Sequence, residues 1–187
     1  MSTAPPVVVR TAWAADVDAV VALVHAAYRG EPSRAGWTTE ADLLDGGRTD
    51  AAMVAAILAD AASELLVVDD PPGLLACCHL QRRGRAAYLG MFAVRPDRQG
   101  GGVGAAVMAA AEEWALAWGA DRMELTVLNH RPELQAWYER CGYVLTGHLE
   151  PFPYGDERFG VPRRDDLVLQ QMIKPLRGAT EEPRMGS

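Results

Sequence analysis

Apolar positions along the chain follow two periods, and the switches between them give the order of elements. A first strand is predicted at "VVVRTA", followed by a helix over 16–28 that places Val17, Val20, Val21, Val24 and Tyr28 on one face. Residues 29–50, "RGEPSRAGWTTEADLLDGGRTD", are polar and broken by Pro32 and glycines, so they read as a long excursion before a second helix around 51–60. Three apolar runs follow, "SELLVVDD", "GLLACCHLQRR" and "AAYLGMFAV", separated by "DPPG" and "RGR", the turn signals of an antiparallel meander. Next, "RPDRQGGGVG" opens an alanine-rich helix with Val103, Val107, Ala110 and Trp114 at helical spacing. "RMELTVLN" reads as a strand, and "RPELQAWYERCG" as a helix with Pro132 in its first turn and Gly142 at its end. "YVLTGHLE" and "DLVLQQMI" close the chain as two strands around the loop "PFPYGDERFGVPRR". This order predicts an α+β fold: a mixed, mostly antiparallel sheet of about six to seven strands flanked by about four helices, with one parallel pair beside the glycine helix. It is expected to form a single domain over 1–175, with 176–187, polar and aperiodic, as a disordered tail.

Composition narrows the function classes. At 187 residues and 49% apolar, the chain can bury a substantial core. A net charge of −7 argues against a nucleic-acid interface, which needs a basic face, and leans towards a cationic substrate. Cys77 and Cys78 are adjacent and Cys141 stands apart, so neither a metal-type spacing nor a disulfide framework is present, and a reducing cytoplasm is expected. No basic leader and no apolar stretch near the length of a membrane span is found.

The glycine turn carries the first chemical signal. Glycines permit positive φ and close backbone approach, and a helix start offers free N–H groups and a favourable dipole to a phosphate or pyrophosphate. Two phosphate-binding rivals fit less well. Gly100, Gly102 and Ala105 can be written as G-x-G-x-x-A, but the preceding meander and the lack of successive βαβ units disfavour a dinucleotide fold, and no Walker lysine follows Gly104. The run Gln99-Gly100-Gly101-Gly102-Val103-Gly104 satisfies every position of Q/R-x-x-G-x-G/A, and "FAVRPDR" precedes it. With the later segment "NHRPELQAWYERCGY", it resembles the GNAT family of acetyl-CoA-dependent N-acetyltransferases. The likeness spans roughly residues 6–175, with specific motifs between Tyr88 and Tyr143. Asn129 and Tyr138 lie nine positions apart here, where the family pattern has seven.

The resemblance implies acetyl-CoA as co-substrate, with no metal, and an amine acceptor on a small molecule or peptide. It implies that Arg98, Gln99, Gly100, Gly101, Gly102, Val103, Gly104 and Ala105 surround the pyrophosphate, that Phe92, Ala93 and Val94 bind the pantetheine amides and polarise the thioester oxygen, and that Asn129 and Tyr138 also face the cofactor. Tyr138 is the candidate general acid, since a phenol of pKa ~10 can protonate a thiolate of similar basicity. Its helical spacing with Leu134 and Cys141 also suits a core aromatic. For the base, Glu124 on its strand, His79 and a relay through water are the options. Trp37, Glu40, Tyr154, Asp156 and Glu157 suggest an aromatic and acidic wall for a cationic amine, although Thr38 and Glu40 also suit helix entry. A non-catalytic acyl-CoA-binding sensor or interaction module is the alternative, and a homodimer is left open.

Overall fold

The computed structural model describes residues 7–177, so most of the expected tail lies outside the described residues. In chain order the elements are β1 (Val9–Thr11), α1 (Val17–Tyr28), the short α2 (Gly30–Ser33), β2 (Leu44–Asp45), α3 (Ala51–Ala59), β3 (Ser63–Asp70), β4 (Gly73–Arg83), β5 (Ala86–Val94), α4 (Val103–Ala117), β6 (Arg122–Leu128), α5 (Pro132–Arg140), β7 (Val144–Pro151), β8 (Val161–Pro162) and β9 (Val168–Pro175). Seven strands form one sheet, ordered β1-β3-β4-β5-β6-β9-β7, while β2 and β8 pair separately. All pairs are antiparallel except β5 with β6, which are joined by α4 as a parallel pair requires.

The apolar runs of β3 and β4 are continuous because both faces of these central strands are covered. On one face Leu66, Cys78, Leu89 and Leu125 pack against Val107 and Ala111 of α4 and Tyr138 of α5. On the other, Leu65, Val67 and Cys77 pack against Val20 and Val24 of α1 and Val54 of α3. Adjacent Cys77 and Cys78 therefore enter opposite cores, as strand alternation demands, and all three cysteines are unpaired. Local signals set the helix ends: the Asp50 carboxylate accepts from Met53 N at 2.8 Å to cap α3, and Pro132 begins α5.

The excursion over 29–50 is more structured than expected. It contains α2, and β2 pairs antiparallel with β8, Leu44 opposite Pro162, which folds the excursion against the closing loop. Leu44 joins Leu128, Phe152 and Leu167 in a third small core, and Arg163 pairs with Asp45, 118 positions away, at 2.7 Å. A two-residue ladder closed at that separation leaves no local periodicity to read.

Candidate active site

The site begins where the sheet opens. β5 and β6 pair only through Ala86, Ala87 and Tyr88, opposite Arg122, Met123 and Glu124. Beyond Tyr88 the two strands share no ladder, so the β6-facing edge of residues 89–94 has no strand partner. A bulge shapes the same stretch: His79 faces Gly90 and Cys77 faces Ala93, leaving Met91 and Phe92 together opposite Cys78. Met91 takes φ of 46°, a conformation rare outside glycine. The Tyr28 hydroxyl of α1 donates to the Phe92 carbonyl, fixing the bulge from the α1 side.

The glycine turn lies against this edge. Gly100 and Gly102 have φ of 82° and 83°, where a side chain would be strained, and Gly102 caps α4. The first helical bond runs from Ala106 N to the Gly102 carbonyl. Among the described residues, the N–H groups of Gly100, Gly101, Gly102, Val103, Gly104 and Ala105 donate to no backbone carbonyl, which makes a cradle for an anion at a helix start. Gln99 holds the turn in place: its Nε2 donates to the Val94 carbonyl at 3.0 Å, and its Oε1 accepts from Trp37 N at 3.1 Å. A Cβ on Gly104 would stand 3.3 Å from Trp137 Cζ2, so this glycine lets α4 and α5 approach closely.

Two cavities, each of ≈ 460 Å³, meet at the opening. The first is lined by the glycine turn, Val94, Trp37 and Trp137; the second by Arg48, Tyr88, Thr126, Glu150 and Phe152. Both share Tyr28, Phe92, Arg131, Leu134 and Tyr138 as their common wall. Tyr138 is 6% exposed, packed edge-on against Trp137 and Tyr143. Among the described residues its hydroxyl makes no hydrogen bond. Burial, with Tyr28 adding to it, pushes its pKa well above the usual phenol range, so it holds its proton at neutral pH.

Beside this wall lies a buried ionic cluster. Glu40, 6% exposed, accepts from Arg29 Nε and Nη2 at 3.2 and 3.0 Å and from Arg131 Nη1 at 2.8 Å. Burial opposes its ionisation, yet Arg131, Arg48 and Arg29 together hold its carboxyl below the usual carboxylate range. Arg29 also donates to the carbonyls of Gly47 and Phe159, and Arg131 Nη2 donates to Thr38 Oγ1 at 2.6 Å, so the cluster ties the excursion to α5 and the closing loop. Arg131 Nε is buried without a hydrogen-bond partner.

The sequence-predicted residues divide accordingly. Gln99, Gly100, Gly102, Gly104, Ala105, Phe92, Ala93, Val94 and Tyr138 all line the first cavity. Gly101 belongs to the turn without lining it, Val103 turns into the core, and Arg98 points away to Asp70 at 3.3 Å. Asn129 lines neither cavity: its Nδ2 donates to the Asp166 carbonyl and its Oδ1 accepts from Val168 N, so its amide anchors the start of β9. Glu124 stands at the closed end of the opening, bonded to Arg122 Nε at 2.9 Å and outside both cavities. His79 also lies outside them, its Nε2 2.9 Å from Ser63 Oγ.

The expected acidic and aromatic wall does not assemble. Trp37 lines the first cavity, near Trp137, rather than the second. Glu40 is committed to two arginines. Tyr154 braces its own loop, donating to the Arg164 carbonyl and accepting from Leu167 N, and Asp156 pairs with Arg158. Tyr28, Arg48 and Arg131 line the site but went unread, because their contacts join distant segments; the buried charges inside polar stretches were the available signal. Among the described residues no group of three or more His, Cys, Asp or Glu could hold a metal ion, and no helix is long and apolar enough to cross a membrane.

Known proteins place this arrangement. The chain superposes on the ribosomal-protein-S18-alanine N-acetyltransferase from Escherichia coli with a TM-score of 0.68 at 16% identity, covering 94% of this chain and 97% of that one. It superposes on nourseothricin acetyltransferase with a TM-score of 0.65 at 23% identity, over 92% and 99% of the two chains. These likenesses show the fold, the acyl-CoA N-acyltransferase arrangement of mixed sheet and flanking helices. No curated protein sequence matches the chain. The Acetyltransferase (GNAT) family matches residues 32–143, which include the bulge, the glycine turn and Tyr138. The chain belongs to the GNAT acetyltransferase family.

Proposed function

We propose that the protein transfers an acetyl group from acetyl-CoA to a primary amine of a small molecule or peptide, with both substrates bound together and Tyr138 as general acid. The observation that carries this reading is the meeting of two cavities at one wall, with the unpartnered Tyr138 hydroxyl in it. One cavity suits a donor, the other an acceptor. The unpaired cysteines fit a reducing, cytoplasmic setting.

The residues present suit the donor. The free N–H groups from Gly100 to Ala105 would hold the pyrophosphate, and the unladdered edge of β5 at Phe92, Ala93 and Val94 would bond the pantetheine amides. Bound acetyl-CoA supplies an acyl group already activated as a thioester. A main-chain donor at the bulge of Met91 and Phe92 would stabilise the thioester oxygen as it gains charge. Holding the amine in the second cavity makes the attack effectively unimolecular.

Proton movement follows from the side chains at the wall. The acceptor enters as an ammonium and must lose a proton. Glu40 is committed, and neither Glu124 nor His79 lines the cavities, so that proton leaves through a water relay or to Glu150, the other carboxylate lining the second cavity. As the C–N bond forms and the C–S bond breaks, the Tyr138 phenol gives its proton to sulfur and is reprotonated from the amine nitrogen. Ammonium and thioester thus give an amide, a thiol and one proton to solvent.

Thiol release from acetyl-CoA across small amines, amino acids and peptide N-termini tests the reading. At least one amine is expected to be acetylated. Acetyl-CoA binding by calorimetry with no product from any acceptor would instead identify a binding module. The acceptor must be argued from the second cavity, because one fold serves many acceptors.

A further inference from the structure

The second cavity carries an unexpected charge. Four guanidinium groups line it, Arg29, Arg48, Arg83 and Arg131, against two carboxylates, Glu40 and Glu150. This local excess of cations belongs to a chain with a net charge of −7. Glu40 is spent on Arg29 and Arg131. Glu150 stands on β7, half-exposed and 4.0 Å from His148 Nε2. Neither remaining cation forms an ion pair with a carboxylate among the described residues, although the Arg48 charge helps to keep Glu40 ionised from a distance. Arg83 donates Nε to Gln81 and lies over the Tyr88 ring at 3.9 Å. Among the described residues Arg48 makes no hydrogen bond or ion pair, and its guanidinium lies 5.5 Å from the centre of the Tyr28 ring.

Position matters as much as charge. Tyr28 is part of the wall shared by both cavities, and its hydroxyl holds the Phe92 carbonyl. Arg48 therefore lies against a side chain of the shared wall, with donors that make no hydrogen bond among the described residues and can make charge-assisted bonds to a ligand. A multiply cationic amine would meet repulsion there and find its natural counter-ion already taken. An amine that also carries an anion would meet an unspent guanidinium at short reach.

We infer that the acceptor is a small primary amine bearing an acidic group, a free amino acid or aminophosphonate, with Arg48 binding the anion and Arg83 adding to the field. This rests on the transferase reading above. The experiment compares kcat/KM for matched acceptors: free amino acids, the corresponding amides, the corresponding aminophosphonates, and spermidine as the polycationic control. Expected is a preference of about 10- to 100-fold for an acid over its amide, the size of a charge-assisted bond, and little turnover of spermidine. The carboxylate and phosphonate arms show which anion is preferred. Arg48→Gln is expected to raise KM for the anionic acceptor by a similar factor while KM for acetyl-CoA holds, and Arg48→Lys to recover part of the loss.

Amides or spermidine turned over as well as the acids would overturn the inference and leave the transferase reading standing. So would an Arg48→Gln effect equal for anionic and neutral amines. Thiol release from no amine at all would remove both. The substrate comparison uses the unaltered protein, so the outcome does not depend on how a variant folds.

Discussion

Replacing Glu40 with alanine separates two accounts of the same residue. As an acid offered to the acceptor, Glu40 would be dispensable for folding, and its loss would raise only the acceptor KM. In the structure it is the counter-ion of two arginines, with side chains 2% and 4% exposed. Removing it strands two nearly buried guanidinium groups without their counter-ion. Breaking a buried pair in this way costs about 3–5 kcal/mol. For a domain of this size, each kcal/mol lowers Tm by roughly 2–4 °C, so Glu40→Ala should melt roughly 6–20 °C below the unaltered protein. Thermal unfolding followed by circular dichroism reads this directly. Glu40→Gln, which keeps the shape and one acceptor oxygen, should fall between the two. A Glu40→Ala protein melting within about 2 °C of the parent, with its only defect in the acceptor KM, would refute the counter-ion assignment.

Three further outcomes are expected. Tyr138→Phe should lower kcat by about 10²–10⁴-fold, the range of general acid catalysis, with KM for acetyl-CoA little changed; since the hydroxyl makes no hydrogen bond, unfolding by urea should be nearly unaffected, and an unchanged kcat would exclude Tyr138 as the acid. Gly102→Val should weaken acetyl-CoA binding by about 5- to 30-fold in calorimetry, because φ of 83° costs a branched residue about 1–2 kcal/mol, while a Cβ there would meet no protein atom within 4 Å; equal affinity would misplace the anion cradle. Stability should fall in alkali: burial pushes Tyr28 up to about 12 and raises Tyr138 and Tyr143 as well. A folded-state pKa raised above the unfolded value of ~10 gives stability that is whole below pH ~10 and is lost as pH rises towards 12. Urea midpoints at pH 8 and 11 compare the two, and equal midpoints would contradict the burial of these phenols.

What the sequence made legible was local. The period-two and period-3.6 runs gave the seven-stranded sheet and the long helices, because each such element takes its face from residues two to four apart. The glycine turn was readable for the same reason, lying within a single strand-to-helix segment, whereas Tyr138 was singled out by the GNAT resemblance, its helical spacing suiting a core aromatic equally well. The α2 and β2 segments were not, since β2 exists only through β8. The pairing of Glu40 was not legible because its partners Arg29 and Arg131 lie 11 and 91 positions away, and a carboxylate in a polar loop reads as solvated until those partners are seen. Asn129 and Tyr154 line neither cavity and turn their polar atoms onto backbone carbonyls instead. Glu124 alternated as expected, yet the face it occupies lies where β5 and β6 are still joined.

The opening between β5 and β6 divides the protein's exposure to mutation. On the proposed donor side, recognition would fall mainly to main-chain groups, the edge of β5 and the start of α4, which almost any side chain supplies equally well. On the proposed acceptor side, it would fall to side chains such as Arg48, borne on connecting segments that tolerate change. One half of the site is therefore inherited with the backbone, and the other is free to drift. A lineage of such proteins can change what it acetylates residue by residue without relearning where the acetyl group comes from.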